Sequence, residues 1–447
     1  MPRDLTPRAK CRGAAAFWFD LFRAYLATLV MAAPCWSEPM GAAADVHGPE
    51  ASGAQPSAPS AGFWKWFDPE TAPFLPVPEI ATNPNGGTTI GILPVWLRTD
   101  EHHVIRRIIA PDFLHSPYFG FGFHARMYSY PSQDEQWSLL AGAKQRVERE
   151  FDAEYQSGRS RKERWSFAGS LIYDRDGTPR FYGIGNESPQ SEQTSFTEEQ
   201  SLVQAQIGLN LSNAWQLLYT GRVRIVDVLP GTLPGIPSLE SRFGSVELGT
   251  RHEALNRLSI VYDTRNDLTV PNRGTKWIAY GGVASRGGVL NDSLYSEAGI
   301  DGRAFLPIAR ETILVAHLSL RYLPTANDPP FWALSSLGGA RSETGGEQPL
   351  RGFGAGRFYD RNSFSSSVEV RQRAWEFNAV STHVELEVAP FVDVGRVFAM
   401  GASPVAQLHK VGGLAFRAIA RPFVVGYVDI GFGSEGPAVF SGIYYPF

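Results

Sequence analysis

From about Thr88 to the C-terminus, apolar and polar residues alternate one for one, and this limits the fold more than any other feature of the chain. Val203, Ala205, Ile207, Leu209 and Leu211 share one face of a segment whose other face carries Gln204, Gln206, Gly208 and Asn210. Such a period of two is the pleat of a β-strand. Phe119, Phe121, Phe123, Ala125 and Met127 alternate in the same way with Gly120, Gly122, His124 and Arg126. Leu294, Ala298, Ile300, Ala304 and Leu306 alternate with Glu297, Asp301 and Arg303, and Val384, Leu386, Val388, Val392 and Val394 with Glu385, Glu387 and Asp393. The segments run about ten to fourteen residues, beyond the five or six usual in a soluble sandwich and long enough for a tilted strand to cross a bilayer. Trp137, Trp165, Tyr173, Trp215, Trp277, Tyr322 and Trp375 fall near segment ends, as girdles at two membrane interfaces require. After the first forty residues no apolar run approaches the ~20 residues of a membrane helix. The expected fold is all-β: a closed antiparallel transmembrane β-barrel with its charged face lining a wet lumen, closed because lipid tolerates no open sheet edge. A soluble all-β protein is the alternative.

Counted back from the C-terminus, the alternation predicts strands at 438–447, 423–433, 410–420, 383–394, 364–374, 311–323, 294–306 and 275–285. It continues through 256–263, 243–251, 215–226, 200–211, 163–174, 135–148, 117–130 and 88–97, sixteen in all. An even number puts both termini on one side, the periplasm, and the longest connector, Pro324 to Ser363, outside. Pro94 in the first of these strands and Pro446 in the last can donate no ladder hydrogen bond, so the join between them is expected to be short of bonds.

The first 37 residues read as a signal peptide, with basic Arg3, Arg8, Lys10 and Arg12 ahead of an apolar stretch from Ala24 to Ala33. Cleavage after Ser37, or within Ala42-Ala43-Ala44, fits the small residues there. Cys11 and Cys35, the only cysteines, fall in this leader, which excludes disulfides and thiol chemistry from the mature chain. Pro34 before Cys35, and no leucine three positions upstream, argue against a lipoprotein. Removing the leader's five basic and two acidic residues leaves 36 against 43, a net charge of −7. That balance argues against a nucleic-acid partner. Residues 38–87 read as a Pro/Gly-rich periplasmic tether, flexible over 45–62. The tether includes the aromatic run Phe63 to Phe67, either docked at the barrel mouth or anchored in the interface. The barrel is expected over 88–447.

The connector from Pro324 to Ser363 is glycine-rich and contains Leu350-Arg351-Gly352-Phe353 and Gly354-Ala355-Gly356-Arg357-Phe358-Tyr359-Asp360. A later strand carries Phe391-Val392-Asp393-Val394-Gly395, with Asp393 on the face of Glu385 and Glu387. By alternation that is the lumen face, where an arginine would need such partners. Here the chain resembles the BamA/TamA superfamily of outer-membrane assembly and translocation barrels. The resemblance implies an extracellular loop folded into the lumen, with Arg351, Gly352 and Phe353 at its tip and Arg351 paired to the acidic residue of Phe391, Asp393 and Gly395. It covers about 117 to 447. Phe181 to Asn186, and Tyr262 to Asp267 with Pro271 to Gly274, look like that family's bacterial surface antigen region. The final strand ends in Ile443, Tyr445 and Phe447 on one face, resembling the family's insertion signal. The resemblance also implies a lateral gate where the first and last strands meet. One departure stands out: the family's periplasmic POTRA domains do not fit in the 50 residues from Glu38 to Gly87.

No Gly-x-Ser-x-Gly elbow occurs, His102-His103 are the only adjacent histidines, and Gly354-Ala355-Gly356 lacks the rest of a dinucleotide fingerprint. No catalytic residue, metal or cofactor is therefore expected. The first functional expectation is a barrel that inserts or exports proteins, with outer-membrane lipid and unfolded outer-membrane or secreted proteins as partners. The second is a passive channel or structural barrel plugged by its loop, and a lipid-modifying barrel enzyme is third.

Overall fold

The structure, a computed structural model, describes residues 75–100, 105–132, 134–287, 292–339, 350–379, 382–420 and 424–443. The expected leader with both cysteines, the expected tether up to residue 74, His102-His103, Tyr445, Pro446 and Phe447 lie outside these, as does the side chain of Ile443.

Long antiparallel strands make up nearly everything described. β1 (Leu75–Asn83) and β2 (Gly87–Thr99) form a hairpin. β3 is one stave in two pieces, Ile105–Ile109 and Asp112–Ser116, both paired to β2 on one side and to β4 (Gly120–Ser129) on the other. There follow β5 (Gln136–Lys144), β6 (Arg149–Ser157), β7 (Trp165–Asp176), β8 (Thr194–Asn210), β9 (Trp215–Pro230) and β10 (Gly249–Asp263). Then come β11 (Gly274–Ser285), β12 (Ser293–Ala309), β13 (Thr312–Tyr322), β14 (Asn362–Ala379) and β15 (Thr382–Phe398). β16 (His409–Ala420), β17 (Val424–Gly433) and β18 (Gly436–Ile443) complete the set. Each strand pairs with the next, and β18 returns to lie beside β1, where Ser441 Oγ contacts the β1 backbone. No helix among the described residues is long and apolar enough to cross a membrane.

The distribution of side chains separates this sheet from a soluble sandwich. Its apolar face looks outward, with Val203 55%, Leu258 58% and Val392 56% exposed, while Glu253, Glu369 and Asp393 on the other face are buried. Trp165, Trp215, Trp277 and Trp375 also stand exposed on the outside. Water would disfavour so large an apolar exterior; a bilayer favours it.

Among the described residues the sheet has eighteen staves, where the alternation predicts sixteen. Four local departures account for the difference. The predicted strands 243–251 and 256–263 are one strand, β10. Its charged middle is continuous because Glu253 points inward and accepts from Arg222 (2.7 Å) and Arg224 (3.0 Å) on β9. The predicted strand 135–148 is β5 turning back as β6 through Gln145 to Glu148, with Val147 at φ 59°. A β-branched residue in the left-handed region is rare, so nothing there signals a turn. β3 is broken at Ala110-Pro111, and its proline hid it. β1 falls within the stretch expected to be tether, because Pro76 and Pro78 read as loop. Both counts are even, so the two termini still share a side.

The barrel interior is packed by the segment between β13 and β14. Phe331–Ala333 form a 3-10 turn, and Ser335–Leu337 pairs with Phe358–Asp360 as a small ribbon. Phe331, Trp332 and Ala333 bury against Phe196, Val226, Val228, Leu255 and Tyr295 on β8 to β12. Leu337, Leu350, Phe353 and Phe358 bury against Ala389, Phe391, Val397, Val411 and Ala415 on β15 and β16. The loop is thus a wedge gripped by both walls, consistent with its many apolar residues and the glycines that let it turn.

Candidate functional site

The tip of the wedge places a fully buried guanidinium among carboxylates from three strands. Arg351 donates from Nε to Asp393 Oδ2 (3.0 Å) and from Nη2 to Asp393 Oδ1 (2.8 Å), a two-pronged pair, while its backbone N–H donates to Asp393 Oδ2 (3.1 Å). Nη1 donates to Glu369 Oε1 (2.6 Å) on β14 and Asp429 Oδ2 (3.2 Å) on β17, and Nη2 to Ser367 Oγ (3.2 Å). The guanidinium also lies 3.5 Å over the Phe391 ring, the geometry of a cation–π contact. Burial alone would push Arg351 toward its neutral form. Asp393 and Glu369 outweigh that, so its pKa rises well above the ordinary value and it stays charged.

A second layer holds the first. Ser367 Oγ donates to Asp393 Oδ1 (2.7 Å), Arg371 Nε to Glu369 Oε2 (3.0 Å), and Arg417 to both Glu369 (3.0 Å) and Glu387 Oε1 (2.9 Å). Glu385 meets Arg373 at 2.9 Å. Asp393 and Glu369 can stay charged inside the barrel because each finds more than one donor, whereas Asp429 accepts from Arg351 on Oδ2 and has no hydrogen-bond partner on Oδ1 among the described residues.

Glycines let the backbone of the tip approach the wall. A Cβ at Gly431 would collide with the Arg351 carbonyl, and one at Gly352 would lie 2.7 Å from Val411 Cγ2 and 2.8 Å from the Gly433 nitrogen. At Gly395 it would be 3.2 Å from Leu337 of the wedge. Phe353 packs edge-on to Phe358 and His409, with ring centres at 5.2 and 5.5 Å. Gly431→Ala is expected to push the loop tip off β17 and cost about 1–3 kcal/mol as an overpacking change. Urea titration of the folded barrel in detergent, followed by its heat-modifiable electrophoretic mobility, would detect it. An unchanged midpoint would mean the tip does not need that approach.

The structure therefore brings together Arg351, Gly352, Phe353, Phe391, Asp393 and Gly395. Of the C-terminal set, Tyr445, Phe447 and the side chain of Ile443 lie outside the described residues. Ser367, Glu369, Arg417 and Asp429 were not singled out from sequence. Their signal was present in the alternation of Ser365, Ser367, Glu369 and Arg371, which share a face. Among the described residues no three His, Cys, Asp or Glu side chains are placed to hold a metal.

Both mouths are covered. At the loop end, Asn85 of the β1–β2 turn donates to the Ala355 carbonyl (2.9 Å), Arg180 Nη2 to the Asn85 carbonyl (2.8 Å), and Arg357 Nη2 to the Ser188 carbonyl (2.8 Å). Asn186 donates to the Gln407 carbonyl (3.0 Å) and accepts from the Val397 N–H (3.1 Å). At the other end, the segment between β10 and β11 is shaped by Asn266, which accepts from the N–H groups of Asn272 and Arg273, and by Asp267, which accepts from those of Thr269 and Val270. It carries Val270 across the interior onto Ile419 of β16. Val270→Asp is expected to lift this segment and widen the opening, read as a higher single-channel conductance in planar bilayers. An unaltered conductance would show that the segment does not limit passage.

A family model for the Omp85 superfamily domain matches residues 135–407, a span that contains the wedge, Arg351 and Asp393. Among solved structures, the crystal structure of BamA from Haemophilus ducreyi lacking POTRA domains 1-3 aligns with a TM-score of 0.50 at 12% identity, covering 79% of this chain and 75% of that one. CdiB from Acinetobacter baumannii aligns at 0.41 and 12%, covering 82% and 58%, and CdiB from Escherichia coli at 0.40 and 9%, covering 81% and 62%. The likeness to the first is one of fold. No curated protein matches the chain.

Proposed function

Because the chain belongs to the Omp85 superfamily, we propose that it is an outer-membrane barrel that inserts or exports unfolded proteins through the join of β1 and β18, with Arg351 as the lock on its lumen wedge. The observation that carries this reading is the join itself. Neighbouring staves elsewhere are zipped by backbone ladders, whereas among the described residues β1 and β18 share none. Ser441 Oγ instead accepts from the Thr82 N–H (2.9 Å) and donates to the Ile80 carbonyl (2.8 Å). Thr82 and Ile80 therefore face the join, and so by alternation do positions 78 and 76, which are prolines with no N–H to give.

Pro94 weakens a different place. It is paired with Pro76 inside the first hairpin, and its nitrogen faces the break of β3, between the pairings Ile92↔Phe113 and Trp96↔Ile109. Backbone groups left unmet in lipid cost several kcal/mol each, so a join without a backbone ladder among the described residues is where such a barrel parts most readily. A client strand could offer the missing ladder.

The test uses protein folded into liposomes and a urea-unfolded outer-membrane barrel as client. Wild-type protein is expected to speed client insertion over protein-free liposomes, and Ser441→Ala, which removes both bonds of the join, to speed it further. No acceleration by either, together with a steady ohmic conductance, would replace this reading with that of a passive channel.

A further inference from the structure

A pair of arginines stands where the outer surface of the barrel leaves its apolar band. Arg149 on β6 and Arg175 on β7 are direct cross-strand partners. They alternate in phase with Phe151, Tyr155, Leu171 and Phe167, so both lie on the outward face, while Glu150 and Asp174 take the lumen face. Like charges placed directly opposite one another destabilise a sheet unless a counter-charge joins them.

The local counter-charge is small. Glu199, the next outward residue around the belt, lies 3.6 Å from Arg175 and also accepts from Tyr173 Oη (3.0 Å). Among the described residues Arg149 donates to the carbonyls of Lys144 (2.8 Å) and Glu148 (2.6 Å) at the rim, which orients its guanidinium without neutralising it. Arg146, exposed in the adjoining turn, adds a third positive charge.

Height along the wall identifies what meets these groups. Arg175 and Trp165 lie at the two ends of β7, and ten residues of a strand tilted by about 40° rise roughly 25 Å, the thickness of a barrel's apolar band. Tyr173 lies just inside Arg175, at the level of an aromatic girdle. This is also the end that bears the lumen wedge, because the segment following β7 accepts from Arg357 of the wedge at the Ser188 carbonyl (2.8 Å) and donates from the Gly185 N–H to the wedge's Tyr359 carbonyl (2.7 Å).

We propose that Arg146, Arg149 and Arg175 form a docking site for the phosphate of an outer-leaflet glycolipid headgroup, fixing the depth and rotation of the barrel beside β6 and β7. The site rests on the reading of the outward face as lipid-facing. A phosphate between two opposed guanidinium groups receives forked donors from each, which a lysine could not offer.

The experiment is native mass spectrometry of full-length protein in phosphatidylcholine nanodiscs doped with bis-phosphorylated lipid A. Parallel discs carry phosphatidylglycerol, and a further sample carries inorganic phosphate alone. Each basic residue beside an anionic surface is worth roughly fivefold in affinity. Arg149→Gln/Arg175→Gln is therefore expected to lose roughly thirtyfold in lipid A retention, with unaltered heat-modifiable mobility.

Arg98 and Arg107, also opposed and exposed but at the other end of the barrel, serve as the control. Their Gln variants should leave lipid A retention unchanged. Equal loss from both pairs would reduce the effect to bulk charge and overturn the proposal, as would retention of phosphatidylglycerol or free phosphate as strong as that of lipid A. Wild-type protein that fails to enter bilayers at all would instead defeat the membrane reading on which the site rests.

Discussion

Arg351→Ala is expected to destabilise the folded barrel by about 3–5 kcal/mol, the usual cost of removing one partner from a buried ion pair. The loss falls unevenly across the network. Glu369 keeps Arg371 and Arg417, whereas Asp393 retains the Ser367 hydroxyl as its remaining side-chain donor among the described residues and Asp429 loses its hydrogen bond to Nη1. The substitution thus strands carboxylates of β15 and β17 inside the barrel while freeing the wedge tip that covered them. Arg351→Lys keeps a charge but not the fork, and should fall between wild type and Arg351→Ala. Adding Asp393→Asn to Arg351→Ala should recover part of the loss, because the stranded charge is gone, and such non-additivity is what a direct pairing predicts. The measurement is the urea midpoint of heat-modifiable mobility in detergent, with conductance in planar bilayers as a second readout of wedge release. An Arg351→Ala barrel that unfolds where wild type does would show that the network does not hold the wedge.

Cross-linking the join is expected to bring client insertion down to the protein-free rate. Ser441 Oγ reaches the Thr82 nitrogen, so their Cα atoms are no more than about 7 Å apart, within reach of a disulfide. Thr82→Cys/Ser441→Cys would staple β1 to β18 in a protein whose two natural cysteines, Cys11 and Cys35, are replaced by serine. The oxidised protein should fold yet fail to accelerate the urea-unfolded client. Reduction should restore a rate at or above wild type, since the reduced variant also lacks the Ser441 bonds. An oxidised barrel as active as the reduced one would exclude this join as the client's path and leave the lumen as the route to examine. The two experiments are separable, because the staple leaves the Arg351 network intact and the Arg351 variants leave the join intact.

Much of this architecture is local, and to that extent the alternation carries it. The side chains of a strand alternate with a period of two whatever surrounds it. Residues 202–211 therefore announced β8, and Glu385, Glu387 and Asp393 announced their common face. Strand length against bilayer thickness then pointed to a barrel rather than a sandwich. Where local chemistry was ambiguous the alternation failed, and each failure has a cause. Val147 turns the chain with no glycine, asparagine or proline to mark it. Pro76, Pro78 and Pro111 look like loop, yet their missing N–H groups fall on the join or on the broken stave, where a ladder bond is not needed.

The sequence by itself thus determined that the chain forms long strands, which residues share a face, and that Arg351 and Asp393 were chemically fit to meet. Only the tertiary structure decided that Glu369 and Asp429 join them, that Val270 reaches Ile419, and that Ser441 bridges β18 to β1. Those meetings depend on register and curvature summed over eighteen staves. A period of two says which way a side chain points but not how high it stands on the wall, nor what faces it across the barrel.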